Sequence, residues 1–291
     1  MRRAVAAVVS EYVRGRPAGP LRPFVGWYSG YRESGVEPSV HRGLPSPYLT
    51  VIVTLHEPLE VAAHPDPRAA PDRYDCLVGG LHTAPALITH DGRQSGVQLA
   101  LSPLGARALL GLPAGELAGV DLHLADVLGP FAGELRDRVL DAPDWAARFA
   151  AIDRMLLGRL DGRTGPRPEL VHAWRRLVAA RGAVAAATLA AEVGWSGRYL
   201  ARQFGLEIGL SPKAAARVAR FDAARRALQG RLATGGPTEL AALAASCGYF
   251  DQAHLARDFA GFAGLPPSRW LSAEFRNVQA AAAGAVPDSA A

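Results

Sequence analysis

The pattern of apolar and polar positions changes character along the chain. Up to about residue 103 it falls into short β-branched runs separated by glycine and proline. These are Tyr48–Leu55, stopped by Pro58; Tyr74–Val78, closed by Gly79 and Gly80; and Gly96–Leu101, stopped by Pro103. Runs of this length between turn residues predict strands. Beyond Pro103 the spacing lengthens to three and four. Leu104–Leu110 predicts a short helix ended by Gly111, and Phe131–Leu140 and Trp145–Leu160 predict amphipathic helices. In the last of these, Phe149, Ile152, Leu156 and Leu160 share one face. Residues 161–168 have the composition of a linker, and the alanine-rich tail from about Asn277 predicts fraying.

The C-terminal part repeats itself. Leu189-Ala-Ala-Glu-Val-Gly194-Trp-Ser, Leu200-Ala-Arg202-Gln-Phe204 and Gly209-Leu-Ser-Pro212 return as Leu243-Ala-Ala-Ser-Cys-Gly248-Tyr-Phe, Leu255-Ala-Arg257-Asp-Phe259 and Gly264-Leu-Pro-Pro267. The offset is 54 residues before the turn and 55 after it, so the second turn carries one inserted residue. Each copy reads as helix, tight turn, helix. Gly194 and Gly248 stand where a left-handed backbone is cheap only for glycine. Ser196 and Asp251 are placed as N-caps of the helix that follows. Leu200 with Phe204, and Leu255 with Phe259, are i, i+4 pairs that face a core. Trp195, Tyr249 and Trp270 join that core, and Cys247 packs at the end of its helix. Arg198 and Arg202 then lie on an outward stripe of the first copy. Gln252 and Arg257 lie outward in the second, where Ala253 and Ala256 leave room for close approach. Between the copies, Ser211 and Pro212 start a continuous helix from Lys213 to Gln229.

Charge sharpens this picture. Residues 1–160 hold 16 arginines against 17 acids, whereas residues 161–291 hold 16 basic residues against 10 acids. Arginine is abundant throughout and Lys213 is the sole lysine, so the placement of arginine carries more than its number. From Arg198 to Arg231 eight basic residues face Glu207 and Asp222 alone. A second helix held outward by a compact first one, with cations beside it, is the arrangement that enters a DNA major groove. Arg–phosphate contacts there supply sequence-independent affinity.

The remaining chemistry is sparse. Cys76 and Cys247 are too few and too far apart for a metal or redox motif. His56, His64, His82 and His90 form no compact ligand pattern, and no P-loop, dinucleotide fingerprint or nucleophile elbow occurs. No cofactor is expected, nor an enzyme. The opening MRRAVAAVVSEY has an apolar run of only six residues, Ala4–Val9, too short for a secretory signal, and no stretch is long enough to span a membrane. A cytoplasmic protein is expected.

The segment from about Glu169 to Leu271 resembles the DNA-binding domain of the AraC/XylS family of bacterial regulators. In that domain two helix-turn-helix units are joined by a long helix. The most specific part is Gly248-Tyr-Phe-Asp-Gln-Ala-His-Leu-Ala-Arg-Asp-Phe259, followed by Gly264-Leu-Pro-Pro267 and Arg269-Trp270. The resemblance implies a sequence-specific transcriptional regulator that lays both recognition helices into successive major grooves. It puts Arg198, Ala201 and Arg202 at base-facing positions of the first unit, and Gln252, Ala253, Ala256 and Arg257 at those of the second. Lys213 and Arg217 are expected phosphate contacts. The chain departs from the pattern at Ala215, Leu255, Ala260 and Gly261, so the first unit is expected to dominate specificity.

The expected fold is α+β. A β-rich, cupin-like domain over residues 1–130 senses a small effector or dimerises; a helical connector and linker span 131–166; the all-α double helix-turn-helix domain spans 167–274; and 275–291 form a flexible tail. The implied partners are double-stranded DNA and RNA polymerase, with a small-molecule effector and a homodimer as open roles of the first domain. Trp27, Tyr28, His82 and Arg93 are its candidate pocket residues. Two alternatives stand beside this reading: a metalloenzyme N-terminal domain fused to a DNA-binding module, and an activator that needs no ligand.

Overall fold

A computed structural model describes residues 8–160, 165–233 and 239–274. The signal-like start up to Ala7, residues 161–164 of the linker and the tail beyond Glu274 lie outside the described residues. The chain is α+β, with strands before Pro103 and helices after it as the apolar spacing predicts, except for one short strand at Asp121–His123. Among the described residues nine strands precede the first α-helix and a tenth follows it: β1 (Val9–Gly15), β2 (Val25–Ser34), β3 (Ser39–Gly43), β4 (Leu49–Thr54), β5 (Leu59–Ala63), β6 (Asp72–Tyr74), β7 (Cys76–Gly79), β8 (Ala86–His90), β9 (Arg93–Leu101) and β10 (Asp121–His123). They form two sheets in which every paired strand is antiparallel, ordered β1-β2-β9-β4-β7-β10 and β3-β8-β5-β6.

The run Leu49–Thr54 is apolar on both faces because β4 lies between two cores. Leu49, Val51 and Val53 point to a core shared with helices, and Ile52 points to a core between the sheets with Leu59, Val61, Tyr74 and Leu77. Alternation along a strand sends neighbours to opposite faces, so a β-branched run without polar breaks marks a strand covered twice. Tyr74–Val78 is not one strand. The chain steps at Asp75 from one sheet to the other: Tyr74 pairs with Leu59, while Cys76–Gly79 pair with β4.

The first helices are α1 (Ala106–Leu109), α2 (Leu124–Leu128), α3 (Pro130–Leu140) and α4 (Trp145–Leu157). Asp144 caps α4 by accepting from the Ala147 N–H at 2.8 Å. This helix lies against β1 and β2, where two glycines make room for its rings. A Cβ on Gly15 would sit 2.5 Å from Phe149, and one on Gly30 would sit 2.4 Å from Trp145. Asp153 of the same helix accepts from the Tyr28 hydroxyl at 2.8 Å and the Ala18 N–H at 3.0 Å. Burial and this bond raise the Tyr28 pKa well above its ordinary value, so the phenol stays a donor.

Six further helices follow: α5 (Pro168–Ala179), α6 (Ala186–Glu192), α7 (Gly197–Glu207), α8 (Pro212–Ala233), α9 (Leu240–Ser246) and α10 (Gln252–Ala263). Residues 267–274 are also helical. The cores divide unequally. Leu170, Trp174, Leu189, Leu200, Phe204 and Ile208 belong to the same continuous apolar cluster as the sheets and α3–α4. Val218, Phe221, Leu243, Leu255, Phe259, Phe262 and Trp270 form a separate one.

Candidate nucleic-acid interface

Helices α6 and α7 turn about Gly194, whose φ is +68°, and α9 and α10 turn about Gly248, at +74°. A side chain is strained in this region, so glycine is needed at both turns. The Ser196 hydroxyl accepts from the Tyr199 N–H at 3.2 Å, and the Asp251 carboxylate accepts from the His254 N–H at 2.6 Å. Each cap satisfies an orphan donor at the start of the outward helix. The pairs Leu200–Phe204 and Leu255–Phe259 are fully buried. Tyr249, Cys247 and Trp270 are buried too, while Trp195 is half-buried, edge-on to Tyr199 at 4.9 Å. Ser211 caps α8 by accepting from the Ala214 N–H at 3.2 Å.

With the core pairs fixed, the opposite faces are open. Arg198, Ala201 and Arg202 are exposed on α7, and Gln252, Ala253 and Arg257 are exposed on α10, with Ala256 half-buried beside them. Lys213 is exposed at the start of α8. The arginines of α8 behave differently. Arg217 donates to Asp258 through Nε at 3.2 Å and Nη2 at 2.7 Å, with its guanidinium 4.9 Å from the Phe262 ring centre. Arg220 donates to the Gly182 carbonyl at 3.0 Å. Arg225 and Arg226 both bind Asp222, and Arg226 also lies over the Trp27 ring. Among the described residues no such bond or ion pair engages Arg198, Arg202, Lys213 or Arg257. The basic excess of this half therefore divides into arginines that hold the helices together and a smaller set left on the reading faces. Residue 250, which the repeat places in the longer turn, is a phenylalanine with 93% of its surface exposed.

The first unit is also joined to the N-terminal half. Arg107 and Glu207 form two bonds of 2.7 Å across the boundary. Gly115 lies so close to α7 that a Cβ there would meet the Leu206 carbonyl oxygen at 2.2 Å. The second unit meets the sheet half through Leu44, which packs against its core, and through polar contacts. Glu274 accepts from the Arg42 N–H at 2.9 Å and is 2.7 Å from His41 Nδ1.

Of the N-terminal candidates, Tyr28 is in the core, and Trp27 lies between Arg14 and Arg226. His82 bonds the Ala84 carbonyl, and burial lowers its pKa. Arg93 lines a cleft between the two sheets, with Tyr31, Thr54, Glu57, Thr89 and Ser95. Ser95 Oγ is buried there with no hydrogen-bond partner among the described residues. Among those residues, no three His, Cys, Asp or Glu side chains are grouped to hold a metal ion, and no helix is long and apolar enough to cross a membrane.

Residues 189–273 match a family described as a helix-turn-helix domain, and residues 13–123 match one described as a domain of unknown function, DUF6597. No curated protein matches the chain. Among solved structures it is similar to ToxT from Vibrio cholerae, at 11% identity over 84% of this chain and 97% of that one, with a TM-score of 0.47. It is similar to wild-type ToxT from strain SCE256, described as bound to unsaturated fatty acid, at 10% identity over 94% and 98%, with a TM-score of 0.47. It is also similar to the AraC-like transcriptional activator CuxR, at 15% identity over 70% and 76%, with a TM-score of 0.28.

Proposed function

We propose that the chain is a DNA-binding transcriptional regulator of the AraC type, as its helix-turn-helix domain over residues 189–273 supports, and that α7 and α10 read two successive major grooves, about 34 Å apart. The observation that carries this reading is the sorting of the cations: Arg217, Arg220, Arg225 and Arg226 of α8 are engaged by the protein's own groups, while Arg198 and Arg202 on α7, and Arg257 on α10, are exposed and unpaired. Exposed guanidiniums beside Ala201, Ala253 and Ala256 can approach base edges without steric obstruction. Arg is suited to guanine O6 and N7, and Gln252 to adenine. Lys213 contacts phosphate at the start of α8. Arg217 does so with the donors that Asp258 leaves unused.

Residues 1–130 act as the control domain, 131–166 as the connector and 167–274 as the DNA-binding domain. A small polar effector suits the cleft between the sheets, because the unpartnered Ser95 hydroxyl and the Arg93 guanidinium offer it hydrogen bonds. Dimerisation through the same domain and contact with RNA polymerase complete the proposed action at a promoter.

The test is a footprint of the full chain on DNA upstream of its own gene, followed by mobility shifts with Arg202→Ala. The expected result is protection of two sites one helical turn apart, with specific affinity lowered roughly tenfold or more and non-specific affinity little changed. Equal losses on operator and scrambled DNA would remove Arg202 from base reading. No protection at all would remove the DNA-binding assignment.

A further inference from the structure

We propose that Phe250 is a specificity-determining residue that reads thymine methyl groups in the major groove beneath the second unit; the proposal rests on the DNA-binding reading above. The two units superpose in sequence with Trp195 opposite Tyr249 and with the caps Ser196 and Asp251 opposite each other. Phe250 is therefore the one residue by which the second turn exceeds the first. An inserted turn residue would ordinarily be small or polar. This one is a phenylalanine, and at 93% it is the most exposed large apolar side chain among the described residues.

Its position is fixed on both sides. Tyr249 before it is buried, and Asp251 after it caps α10. Its own N–H donates to His254 Nδ1 at 3.4 Å. The backbone is thus tied to the first turn of α10 while the ring projects from the end that a helix-turn-helix presents to DNA.

The neighbouring surface says what the ring meets. Where α7 carries Arg198, α10 carries Ala253, so the first turn of α10 lacks the corresponding guanidinium. Ala253 and Arg257, four apart, share one side of α10, and Phe250 stands just before the cap at the end of the helix where Ala253 lies. That side is apolar near Phe250 and cationic further on. Asp251, the adjacent acid, spends its carboxylate on the cap. In the major groove the apolar feature of a base edge is the thymine C5-methyl. An exposed ring flanked by alanine fits it, and Arg257 anchors the same face.

The test begins with duplexes selected from a random library by the full chain. Affinities of the wild type, Phe250→Ala and Phe250→Leu are then measured on the selected duplex, and on duplexes with each thymine replaced in turn by deoxyuridine. The expected result is a loss of roughly fourfold per contacted methyl for Phe250→Ala. The wild type loses the same factor on deoxyuridine at one or two positions, where Phe250→Ala loses nothing further, and Phe250→Leu falls between. Phe250→Ala that binds as tightly as the wild type, or loses equally on thymine and uracil duplexes, overturns the proposal. So does unchanged DNA affinity with loss of RNA polymerase binding, which would make the ring a protein contact. Because the ring touches little of the fold, an unchanged melting temperature is expected and checks that the variant is intact. Arg202→Ala, run alongside, separates the two readings. If it weakens binding while Phe250→Ala does not, the DNA-binding assignment stands and the Phe250 role fails.

Discussion

Arg107, on the short helix after β9, and Glu207, at the C-terminal end of α7, face each other through two parallel bonds, Nε to Oε2 and Nη2 to Oε1, both 2.7 Å. The pairing is bidentate and joins the sheet half to the end of a reading helix. The bonds to the Glu207 carboxylate raise the Arg107 pKa. The guanidinium is about a third exposed, so water screens part of the gain. We expect a double-mutant cycle of Arg107→Ala and Glu207→Ala to give a coupling of about 1 kcal/mol in urea unfolding. Reversing the pair, Arg107→Glu with Glu207→Arg, should recover part of it. A coupling of zero would show that the close approach of Gly115 to α7 suffices to hold the contact.

Gly30 sits under Trp145, and Gly15 under Phe149, at distances that no Cβ can share. Gly30→Ala should push α4 from the sheet and lower stability by about 1–3 kcal/mol, as overpacking does. The effect should shrink in a Trp145→Leu background, because the two changes act on one contact. The denaturant midpoint measures both.

Asp258 is almost wholly buried, and Arg217 is its charged partner. Removing Arg217 leaves a buried carboxylate short of two bonds. Arg217→Ala should cost about 2 kcal/mol, less than a fully enclosed pair would lose because the guanidinium is half exposed. Lys213→Ala should leave the melting temperature unchanged and lower the salt dependence of DNA binding by about one phosphate contact. If Arg217→Ala lowers both quantities, the same side chain holds the fold and meets the backbone of the duplex.

The helical half was more legible in the sequence than the sheets. Gly194, Gly248, Ser196, Asp251 and the Leu–Phe pairs are local signals, each settled within one turn of helix, and all take the expected geometry. β4 and β9 were visible as β-branched runs. β2, the longest strand, was not, because Gly26 and Gly30 interrupt its apolar pattern. Those glycines make sense only once the aromatic rings above them are placed, and that is a tertiary fact. The division at Asp75 is equally non-local: Tyr74 and Cys76 join different sheets through partners on β5 and β4. In the reading surface, the outward positions of Arg198, Arg202 and Arg257 followed from helical spacing. The engagement of Arg217, Arg220, Arg225 and Arg226 did not, since their partners lie on other elements or were masked by the simple excess of positive charge. The inserted turn residue was countable from the repeat, but the exposure of Phe250 was not.

The unequal division of the apolar interior has a consequence for how the two units meet an operator. The first unit shares its interior with the sheets, so it behaves as a fixed face of a large body. The second has an interior of its own and meets the sheets through Leu44, which packs against that interior, and through the bonds of Glu274 to His41 and Arg42. Once the first has docked, we expect α8 and these contacts to present the second to the neighbouring DNA, so that its binding is intramolecular. A weak half-site is then occupied because it is near, without being strong by itself. Operators of such a protein can drift in one half while the other stays strictly defined.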